Sequence, residues 1–249
     1  TDIHDGALSI ARRNAKMAGV EQDIHFQRKA FADLSTKREF GCIVTNPNCS
    51  TIVLTLALAP LSQFGLRKVM VSTLQAISGA GYPGVPSLDI LDNVLPHING
   101  EEAKIESETK KILGKLSGTQ VVPHDLVVSA QTTRVPVTNG HTALISVEFD
   151  RPPSHDEIVS AFEMFKGRPQ VKKLPTAPDR PVYYIDDPNR PQPKLDVDRE
   201  GGMAVTVGRL RKCPVLDYKF VALGHNTVRG AAGAALLNAE LMKADNVFE

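Results

Sequence analysis

The sequence has little net charge, few cysteines and no long apolar run. Its 29 Lys and Arg against 28 Asp and Glu give a formal net charge of +1, so we expect no bulk field that attracts nucleic acid or an anionic membrane. Its three cysteines, an odd number, do not make a disulfide framework. The longest apolar run, over 52–61, is interrupted by Thr55 and is too short to span a bilayer. No charged segment followed by an apolar one opens the chain, which begins without Met, so we expect no secretory signal.

The composition is that of a folded protein with a substantial core. Of the 249 residues, 42% are hydrophobic and 23% are charged, which excludes the disordered, collagen-like and low-complexity classes. This length suits one large domain or two modest ones. Together these features predict a cytosolic α/β protein.

Residue periodicity predicts two kinds of architecture along the chain. A helix over 7–18 between short strands at 2–6, 23–26 and 41–46 is typical of an open α/β sheet. Further along, several antiparallel strands with helices on one side indicate an α+β layer. The predicted helices there cover 52–61, 101–113, 154–165 and 230–243, and the predicted strands cover 68–74, 125–137, 142–149, 203–211 and 218–223.

Some of these segments carry a more specific expectation. Strands 125–137 and 142–149 flank the turn dipeptide Asn139-Gly140, which predicts an antiparallel pair around that turn. The helix over 154–165 begins with the Ser-x-x-Glu pattern of a capping box. The Pro- and Asp-rich stretch 166–201 is expected to be a long excursion over the surface.

Cys49 is the strongest candidate for a reactive residue. It lies between a turn-forming Asn-Pro-Asn and the start of an apolar helix. The positive end of a helix and its free N–H groups favour a thiolate, so we expect a lowered pKa, and the same groups would stabilise an oxyanion. The alternative is a buried structural cysteine, which is what we expect of Cys42, inside a strand, and of Cys213, next to Pro214.

A cysteine nucleophile needs a base, and His141 is one candidate. It follows the Asn139-Gly140 turn, and Arg134 lies seven residues before it, which would place a proton shuttle and a carboxylate-binding guanidinium at one rim. The alternative is a solvated turn histidine. His225 begins a helical segment and is equally suited to a cap. No His or Cys cluster has metal-ligand spacing, so we expect no metal.

Five blocks of sequence between about residue 42 and the end resemble aspartate-semialdehyde dehydrogenase of the kind found in archaea, fungi and some bacteria. Each block is weak evidence alone, but the five occur in the order of that family. They are Asn-Pro-Asn-Cys-Ser-Thr at 46–51, Leu-Gln-Ala-Ile-Ser-Gly-Ala-Gly at 74–81, Gly-Glu-Glu-Ala-Lys at 100–104, Arg-Val to Gly-His-Thr at 134–142, and His-Asn-Thr-Val-Arg-Gly-Ala-Ala at 225–232.

The resemblance implies a reaction and three catalytic residues. Cys49 would attack the aldehyde of aspartate 4-semialdehyde to give a thiohemiacetal, hydride would pass to NADP, and phosphate would release 4-aspartyl phosphate from the thioester. The biosynthetic flux, towards lysine, threonine and methionine, runs the other way. His141 would be the general acid/base, and Gln75 would orient the substrate. An acyl-enzyme route of this kind needs a soft nucleophile, a proton shuttle and anion holders.

The resemblance also implies binding residues. Arg134 would hold the substrate α-carboxylate in a bidentate pair. Glu101 and Lys104, one helical turn apart, would meet the substrate amine and the phosphate, although a solvated helix face is the simpler interpretation of that pair alone. Three further residues would lie against NADP: Ser78, Gly79 and Asn226.

The fold implied is α/β plus α+β. A partial Rossmann-like α/β segment over 1–41 would precede a glyceraldehyde-3-phosphate-dehydrogenase-like domain with a mixed or antiparallel sheet and flanking helices. Within that domain, 42–64 would hold a strand, the cysteine and its helix, 65–222 the catalytic and dimerisation part, and 223–249 a helix that packs on a nucleotide-binding domain. The resemblance further implies a homodimer or tetramer acting on small molecules. Because only 48 residues precede Cys49, without a Gly-rich cofactor loop, we expect the nucleotide-binding domain to be missing.

Residues 1–47 resemble a different family, the S-adenosylmethionine-dependent methyltransferases that modify ribosomal RNA. There Asp2 would end the second strand and bind ribose hydroxyls. Our hypothesis is a chimera joined at 42–47, a stretch that suits both families. The piece lacks that family's Asn-Pro-Pro-Tyr motif, so we do not expect methyl transfer. The alternatives to an active dehydrogenase are therefore an RNA methyltransferase fragment and a non-catalytic dimerisation module; an acyl-CoA reductase on the same scaffold is disfavoured by Glu101 and Arg134.

Overall fold

The computed structural model describes residues 46–247. By contacts between Cα atoms the chain divides into two compact units, Thr1–Ile43 with Ala80–Gly84 and Val44–Gly79 with Val85–Glu249. The first is described only at 80–84. The predicted helix over 7–18 and the predicted strands over 2–6, 23–26 and 41–46 therefore lie outside the described residues, apart from Asn46.

The second unit contains the eight strands and seven α-helices of the described chain. In chain order they are α1 (Cys49–Leu58), β1 (Leu66–Gln75), α2 (Ser87–Ile90), α3 (Glu101–Ile112), β2 (Lys115–Ser117), β3 (Gln120–Val122), β4 (Val127–Arg134), β5 (His141–Phe149), α4 (His155–Met164), α5 (Arg168–Val171), β6 (Val182–Ile185), α6 (Pro193–Asp196), β7 (Val205–Lys212), β8 (Tyr218–Gly224) and α7 (Gly233–Ala244). A π-helix over Val228–Ala232 precedes α7.

Six of the strands form one mixed sheet in the order β4-β1-β5-β8-β7-β6, while β2 and β3 form a separate hairpin. The end pairs of the sheet, β1 with β4 and β6 with β7, are parallel, and the other neighbours are antiparallel. The expected strands after residue 65 and the helices over 52–61, 101–113 and 154–165 are present. The capping box of α4 is confirmed, since Ser154 accepts from Glu157 N and Glu157 accepts from Ser154 N.

The predicted antiparallel pairing of 125–137 with 142–149 is wrong. Both strands exist, but β1 lies between them, parallel to β4 and antiparallel to β5. The residues after β4 pair with the residues after β1 instead: Ile77 N donates to Val137 O at 2.8 Å, and Ser78 N donates to Thr138 O at 3.3 Å. The Asn-Gly turn thus closes a crossover around the end of β1, with Gly140 at φ +98°.

The predicted surface excursion over 166–201 is only partly correct. It contains β6, which forms an edge of the main sheet, and it buries the side chains of Val182 and Asp196. The strand was not predicted for two reasons. The four residues of β6 are too few to show a clear alternation, and the proline content of the segment is typical of a loop. The helix predicted over 230–243 begins as the π-helix and continues as α7, of which Ala234 and Leu237 are buried.

One face of the sheet carries the core. Helix α1 is apolar on all sides and packs on β5, β7 and β8, and α4 packs on β6. Leu54, Leu58 and Phe162 are among the fully buried side chains of this layer. Burying such side chains stabilises the fold by roughly 1.5–3 kcal/mol each.

The opposite face of the same sheet is partly exposed. Strand β1 alternates between the buried Val69 and Val71 and the exposed Met70. Leu144 of β5 lies on the face of Met70 and is 44% exposed, and Leu74 is 36% exposed. This apolar surface of Met70, Leu74 and Leu144, called the open face below, is larger than scattered single apolar residues would make.

Helix α3 protects the free edge of the sheet at β4. Glu102 accepts a hydrogen bond from Thr132 N at 3.0 Å, and Glu106 accepts one from Ala130 N at 3.1 Å. These are edge N–H groups that would otherwise invite pairing with another chain. The acidic helix therefore satisfies the strand's donors, which a solvated helix face would not do.

Asp196 fixes the segment between β6 and β7. Its buried carboxylate accepts hydrogen bonds from Arg190, from Arg199 at 3.2 Å and from Gln192 N at 2.8 Å. Burial acts to raise the pKa of Asp196, but the hydrogen bonds from Arg190, Gln192 N and Arg199 outweigh it, so the pKa is lowered.

We predict that Asp196→Asn lowers the free energy of unfolding by about 2 kcal/mol at pH 7, the usual contribution of a charge-assisted hydrogen bond. Because the folded pKa is depressed, this stabilisation is present above the ordinary aspartate pKa, about 4, and is lost as pH falls through the folded pKa. Urea unfolding of both proteins between pH 7 and pH 3 measures it. The exposed Asp186→Asn is the control, and a gap of equal size at pH 3 and pH 7 contradicts the prediction.

Candidate active site

Cys49 is the first residue of α1, and backbone contacts hold it on two sides. Asn48 caps the helix, with its side-chain oxygen accepting from Ser50 N at 2.9 Å and from Thr51 N at 3.2 Å. On the other side the π-helix comes so close that a Cβ added at Gly230 would lie 2.8 Å from Cys49 Cβ. A π-helical turn is rare and is frequent at functional sites.

The expected lowering of the Cys49 pKa is wrong for this structure. Burial raises the pKa of Cys49 to about 11, and the negative charge of Glu101 adds to that effect. Hydrogen bonds from the N–H groups of Ser50 and Cys49 and the charge of Arg134 act in the opposite direction without compensating. The helix terminus does favour the thiolate, as the sequence predicted, but loss of solvent outweighs it.

The strand order brings three candidate residues together at the same end of three neighbouring strands. Gln75 ends β1, Arg134 ends the parallel β4, and His141 begins the antiparallel β5. Gln75 is directly paired with Arg134 in the register of the sheet. The crossover of the chain around β1 thus brings the three side chains together without the hairpin that the sequence suggested.

His141 is buried, and its ring has one satisfied nitrogen. Nδ1 accepts a hydrogen bond from Ala76 N at 3.1 Å, whereas Nε2 is buried without a partner among the described residues. Burial, aided by the charge of Arg134, lowers the pKa of His141 to about 3. The ring is therefore neutral at physiological pH, and a solvated turn histidine is excluded.

Arg134 shares the backbone of Ala76 with His141. Its Nη1 donates to Ala76 O at 2.9 Å, and burial lowers its pKa, against the charges of Glu101 and Cys49. Gly79 lies against both side chains, since an added Cβ would be 2.8 Å from His141 Cε1 and 2.9 Å from Arg134 Nη1. A glycine is needed here for close approach, a requirement that spacing alone does not reveal.

Gln75 and Glu101 form a hydrogen-bonded pair. Gln75 Nε2 donates to Glu101 Oε2 at 2.7 Å, while the buried Gln75 Oε1 has no partner among the described residues. Glu101 also acts electrostatically on both Cys49 and Arg134. Lys104 is exposed on the next turn of α3, and the structure records no side-chain hydrogen bond or ion pair joining it to the described residues of this group.

Ser78 and Asn226 are brought together beside the turn at Gly140. The Asn226 amide donates to Ser78 Oγ at 2.8 Å and accepts from Gly140 N at 2.8 Å. Asn226 is buried and Ser78 is partly exposed. His225 is in part a local cap, since its Nδ1 accepts from Thr227 N at 3.3 Å.

Other cysteines and metal-binding groups do not add to this site. Cys213 accepts from Leu216 N in the turn after β7, consistent with a structural role, and Cys42 lies outside the described residues. Within 46–247, no three His, Cys, Asp or Glu side chains form a group that could hold a metal ion. In the same range, no helix has the length and apolar character needed to cross a membrane.

Comparison with known families covers the residues of the candidate site after Cys49. The family model described as "Semialdehyde dehydrogenase, dimerisation domain" matches residues 58–229. The chain belongs to the semialdehyde dehydrogenase family. Together with the relatives below, this match confirms the resemblance to aspartate-semialdehyde dehydrogenase over most of the chain, and a second family model, "RMKL-like, methyltransferase domain", matches residues 1–48.

Relatives in this family are named aspartate-semialdehyde dehydrogenase. The protein of Archaeoglobus fulgidus is 54% identical over 208 residues, which are 84% of this chain and 60% of the relative. The crystal structure of the Candida albicans enzyme with NADP has a TM-score of 0.74 at 44% identity, covering 80% of this chain and 57% of that one. Aspartate semialdehyde dehydrogenase II of Vibrio cholerae, complexed with ASA, has a TM-score of 0.66 at 25% identity, covering 80% and 62%. This chain thus spans about 60% of the length of the relatives it matches.

We predict that Glu101→Gln accelerates alkylation of Cys49 by iodoacetamide at pH 8. The amide removes the negative charge that raises the thiol pKa, and one pKa unit is about tenfold in thiolate below the pKa; we expect about threefold or more. Peptide mapping measures the rate at each cysteine, with Cys213 as the internal reference. Glu102→Gln, on the same turn of α3, is the control. An unchanged or slower rate in Glu101→Gln contradicts the prediction.

Proposed function

We propose that this chain carries the catalytic part of an aspartate-semialdehyde dehydrogenase, which converts aspartate 4-semialdehyde, phosphate and NADP to 4-aspartyl phosphate and NADPH. The observation that supports it most is the convergence of Gln75, Arg134 and His141 at the same end of three neighbouring strands, with Arg134 acting electrostatically on a cysteine at a helix start. We place the reaction in the cytoplasm, in the biosynthesis of lysine, threonine and methionine. The names of the relatives support the same assignment.

The covalent steps are carried by Cys49 and His141. The Cys49 sulfur adds to the aldehyde carbon, and the carbonyl oxygen takes a proton through His141 Nε2, the ring nitrogen without a partner. NADP, when bound, would supply the acceptor for the hydride of the thiohemiacetal carbon, while the thiohemiacetal hydroxyl gives up its proton through His141 Nε2, which leaves a thioester on Cys49. A phosphate oxygen then attacks the thioester carbon and expels the Cys49 thiolate. Since the Cys49 pKa is high without substrate, the thiolate must gain stabilisation as substrate enters.

Charge decides how the substrate is oriented. The buried guanidinium of Arg134 is suited to the α-carboxylate, because a carboxylate restores the counter-charge that burial makes necessary. Glu101 would receive the substrate amine, which also offsets the negative charge that raises the Cys49 pKa. Gln75 would offer its unpartnered Oε1 to the substrate. Lys104 would hold the phosphate from its exposed position on α3.

Three residues fit a bound NADP, the ligand named for the Candida albicans structure. Ser78 accepts from Asn226 and keeps its own O–H to donate, on a partly exposed side chain. Gly79 is exposed and borders His141 without a side chain between them. We propose that Ser78 and Gly79 contact the cofactor next to the reacting atoms and that Asn226 completes this group by holding Ser78.

The wider organisation we propose follows the family. Residues 1–41 would be a Rossmann-like, methyltransferase-like segment, 42–64 the cysteine and its helix, and 65–222 a glyceraldehyde-3-phosphate-dehydrogenase-like catalytic and dimerisation domain. Residues 223–249 would pack on a nucleotide-binding domain. The match of 1–48 to a methyltransferase domain supports a join between two families near 42–47, which sequencing of the intact source gene tests.

We also propose that a second copy of this chain covers the open face. The family model that matches is that of a dimerisation domain, and Met70, Leu74 and Leu144 form an apolar surface on its sheet. Association of identical sheets with twofold symmetry would bury this surface on both copies at once.

We predict that any turnover of aspartate semialdehyde with phosphate and NADP by the purified chain requires Cys49, so that Cys49→Ala abolishes it while Cys213→Ala keeps it. The reason is that a covalent route loses its nucleophile with Cys49 alone. Absorbance of NADPH measures turnover, and direct binding of NADPH is measured alongside it. Absence of binding and turnover in the folded chain supports a non-catalytic dimerisation module, and methyl transfer to RNA without reduction supports the methyltransferase alternative.

We predict that Leu144→Glu converts a dimer into a monomer in sedimentation equilibrium. The substitution places a charge on the open face, which association of two copies would bury. Leu116→Glu is the matched control, since Leu116 is 75% exposed on the separate β2–β3 hairpin. A wild-type chain that is monomeric, or a Leu144→Glu chain that stays dimeric, contradicts this prediction.

A further inference from the structure

The segment before Cys49 is held by a residue that the proposed reaction does not use. The backbone N–H of Asn48 donates to Glu108 Oε2 at 2.8 Å. Glu108 belongs to α3 and lies 60 residues away along the chain. Among the described residues, it is the one side chain of α3 that forms a hydrogen bond with α1 or with its capping residue.

We propose that Glu108 is a positioning residue for Cys49. Asn48 makes two kinds of bond: its side chain caps α1 through Ser50 N and Thr51 N, and its backbone N–H is fixed by Glu108. Fixing the N–H sets the orientation of the capping residue, and the cap sets where α1 begins. Because Asn48 directly precedes Cys49, the hydrogen bond from Asn48 N to Glu108 helps to set the position of the Cys49 thiol.

The remaining contacts of this segment show why an anchor is needed. Asn46 Nδ2 donates to Ala231 O at 2.7 Å, which ties the segment to the π-helix, and Gly230 packs on Cys49 from the same side. Glu108 supplies the restraint from α3. Without it, the N–H of Asn48 would be left without its acceptor, and the segment would be held from one side only.

The consequence for the thiol concerns its pKa. Hydrogen bonds from the N–H groups of Ser50 and Cys49 lower the pKa of Cys49 and oppose the effect of burial. Those bonds depend on the geometry of the first turn of α1. Loss of the Glu108 acceptor would weaken them, so the thiolate would form at higher pH and react more slowly.

Glu106 provides a matched control on the same helix. Its carboxylate accepts a backbone N–H as well, that of Ala130 at 3.1 Å, but this belongs to the edge strand β4. Glu106→Ala removes a bond of the same type without touching Asn48. A general loss of stability would therefore affect both variants, whereas a positioning effect would affect only Glu108→Ala.

The experiment compares the pH profile of Cys49 alkylation by iodoacetamide in wild-type chain, Glu108→Ala, Glu108→Gln and Glu106→Ala. We expect Glu108→Ala to slow the reaction at pH 8 by about threefold or more and to shift the profile to higher pH. Glu108→Gln should react at the wild-type rate or faster, because its amide oxygen keeps the acceptor. Glu106→Ala should match wild type in alkylation, whatever its stability against urea.

The proposal is overturned if Glu108→Ala matches wild type, if Glu106→Ala slows the thiol equally, or if Glu108→Gln is as slow as Glu108→Ala. Should Glu108→Ala not fold, Glu108→Asp carries the same test, because its carboxylate is one methylene short of Asn48. The inference rests on the proposed role of Cys49, but alkylation requires neither NADP nor substrate. A chain without turnover can thus still show the Glu108 effect, and an active chain can fail to show it.

Discussion

The position of β1 between β4 and β5 is the constraint on which the candidate site depends. Strand β4 is parallel to β1, and β5 is antiparallel to it. The last residues of β4 and β1 and the first residue of β5 therefore lie side by side at the same end of the strands. Gln75, Arg134 and His141 occupy those three termini. Ala76, the residue after β1, then uses its N–H for His141 and its C=O for Arg134. A direct hairpin of β4 and β5 would have no central strand to supply these bonds.

Helix α3 connects this end of the three strands to the segment before Cys49 and to the edge strand β4. Four of its glutamates accept specific hydrogen bonds: Glu101 from Gln75, Glu102 from Thr132 N, Glu106 from Ala130 N and Glu108 from Asn48 N. Three of the four donors are backbone groups, two of them on the edge strand β4. In the sequence these glutamates resemble a charged surface that keeps a helix in solvent. In the structure they instead bind the segment before Cys49, the end of β1 and the edge strand β4.

Local sequence signals predicted the elements but not their long-range partners. The capping box of α4, the apolar helix α1 and five of the six strands of the main sheet follow from short-range patterns and are present. The order of the strands does not, because the turn signal at 139–140 fits a hairpin as well as a crossover. The short strand β6 carries too little alternation to be distinguished from a loop.

In the candidate site, too, local patterns predicted individual residues but not the contacts between distant parts of the chain. The helix start at Cys49 was evident from the Asn-Pro-Asn turn, spacing around the Asn-Gly turn singled out His141 and Arg134, and family resemblance supplied Gln75. The high pKa of Cys49 was not predictable, since it arises from burial by chain segments far away in sequence. Glu108 has no local signal either, since its partner lies 60 residues away, and only the Asn at the helix cap could have been singled out in advance.

Glu101 and Glu108 are seven residues apart on α3, which is two turns of an α-helix, so they project from nearly the same side. One of them faces the position proposed for the substrate amine, and the other holds the backbone that precedes the sulfur. Any axial slide or rotation of this rigid rod would move both carboxylates together. Under the proposed roles, substrate recognition at Glu101 and the position of the Cys49 thiol would both depend on this one helix, so a redesign of specificity at Glu101 would have to keep the helix in place.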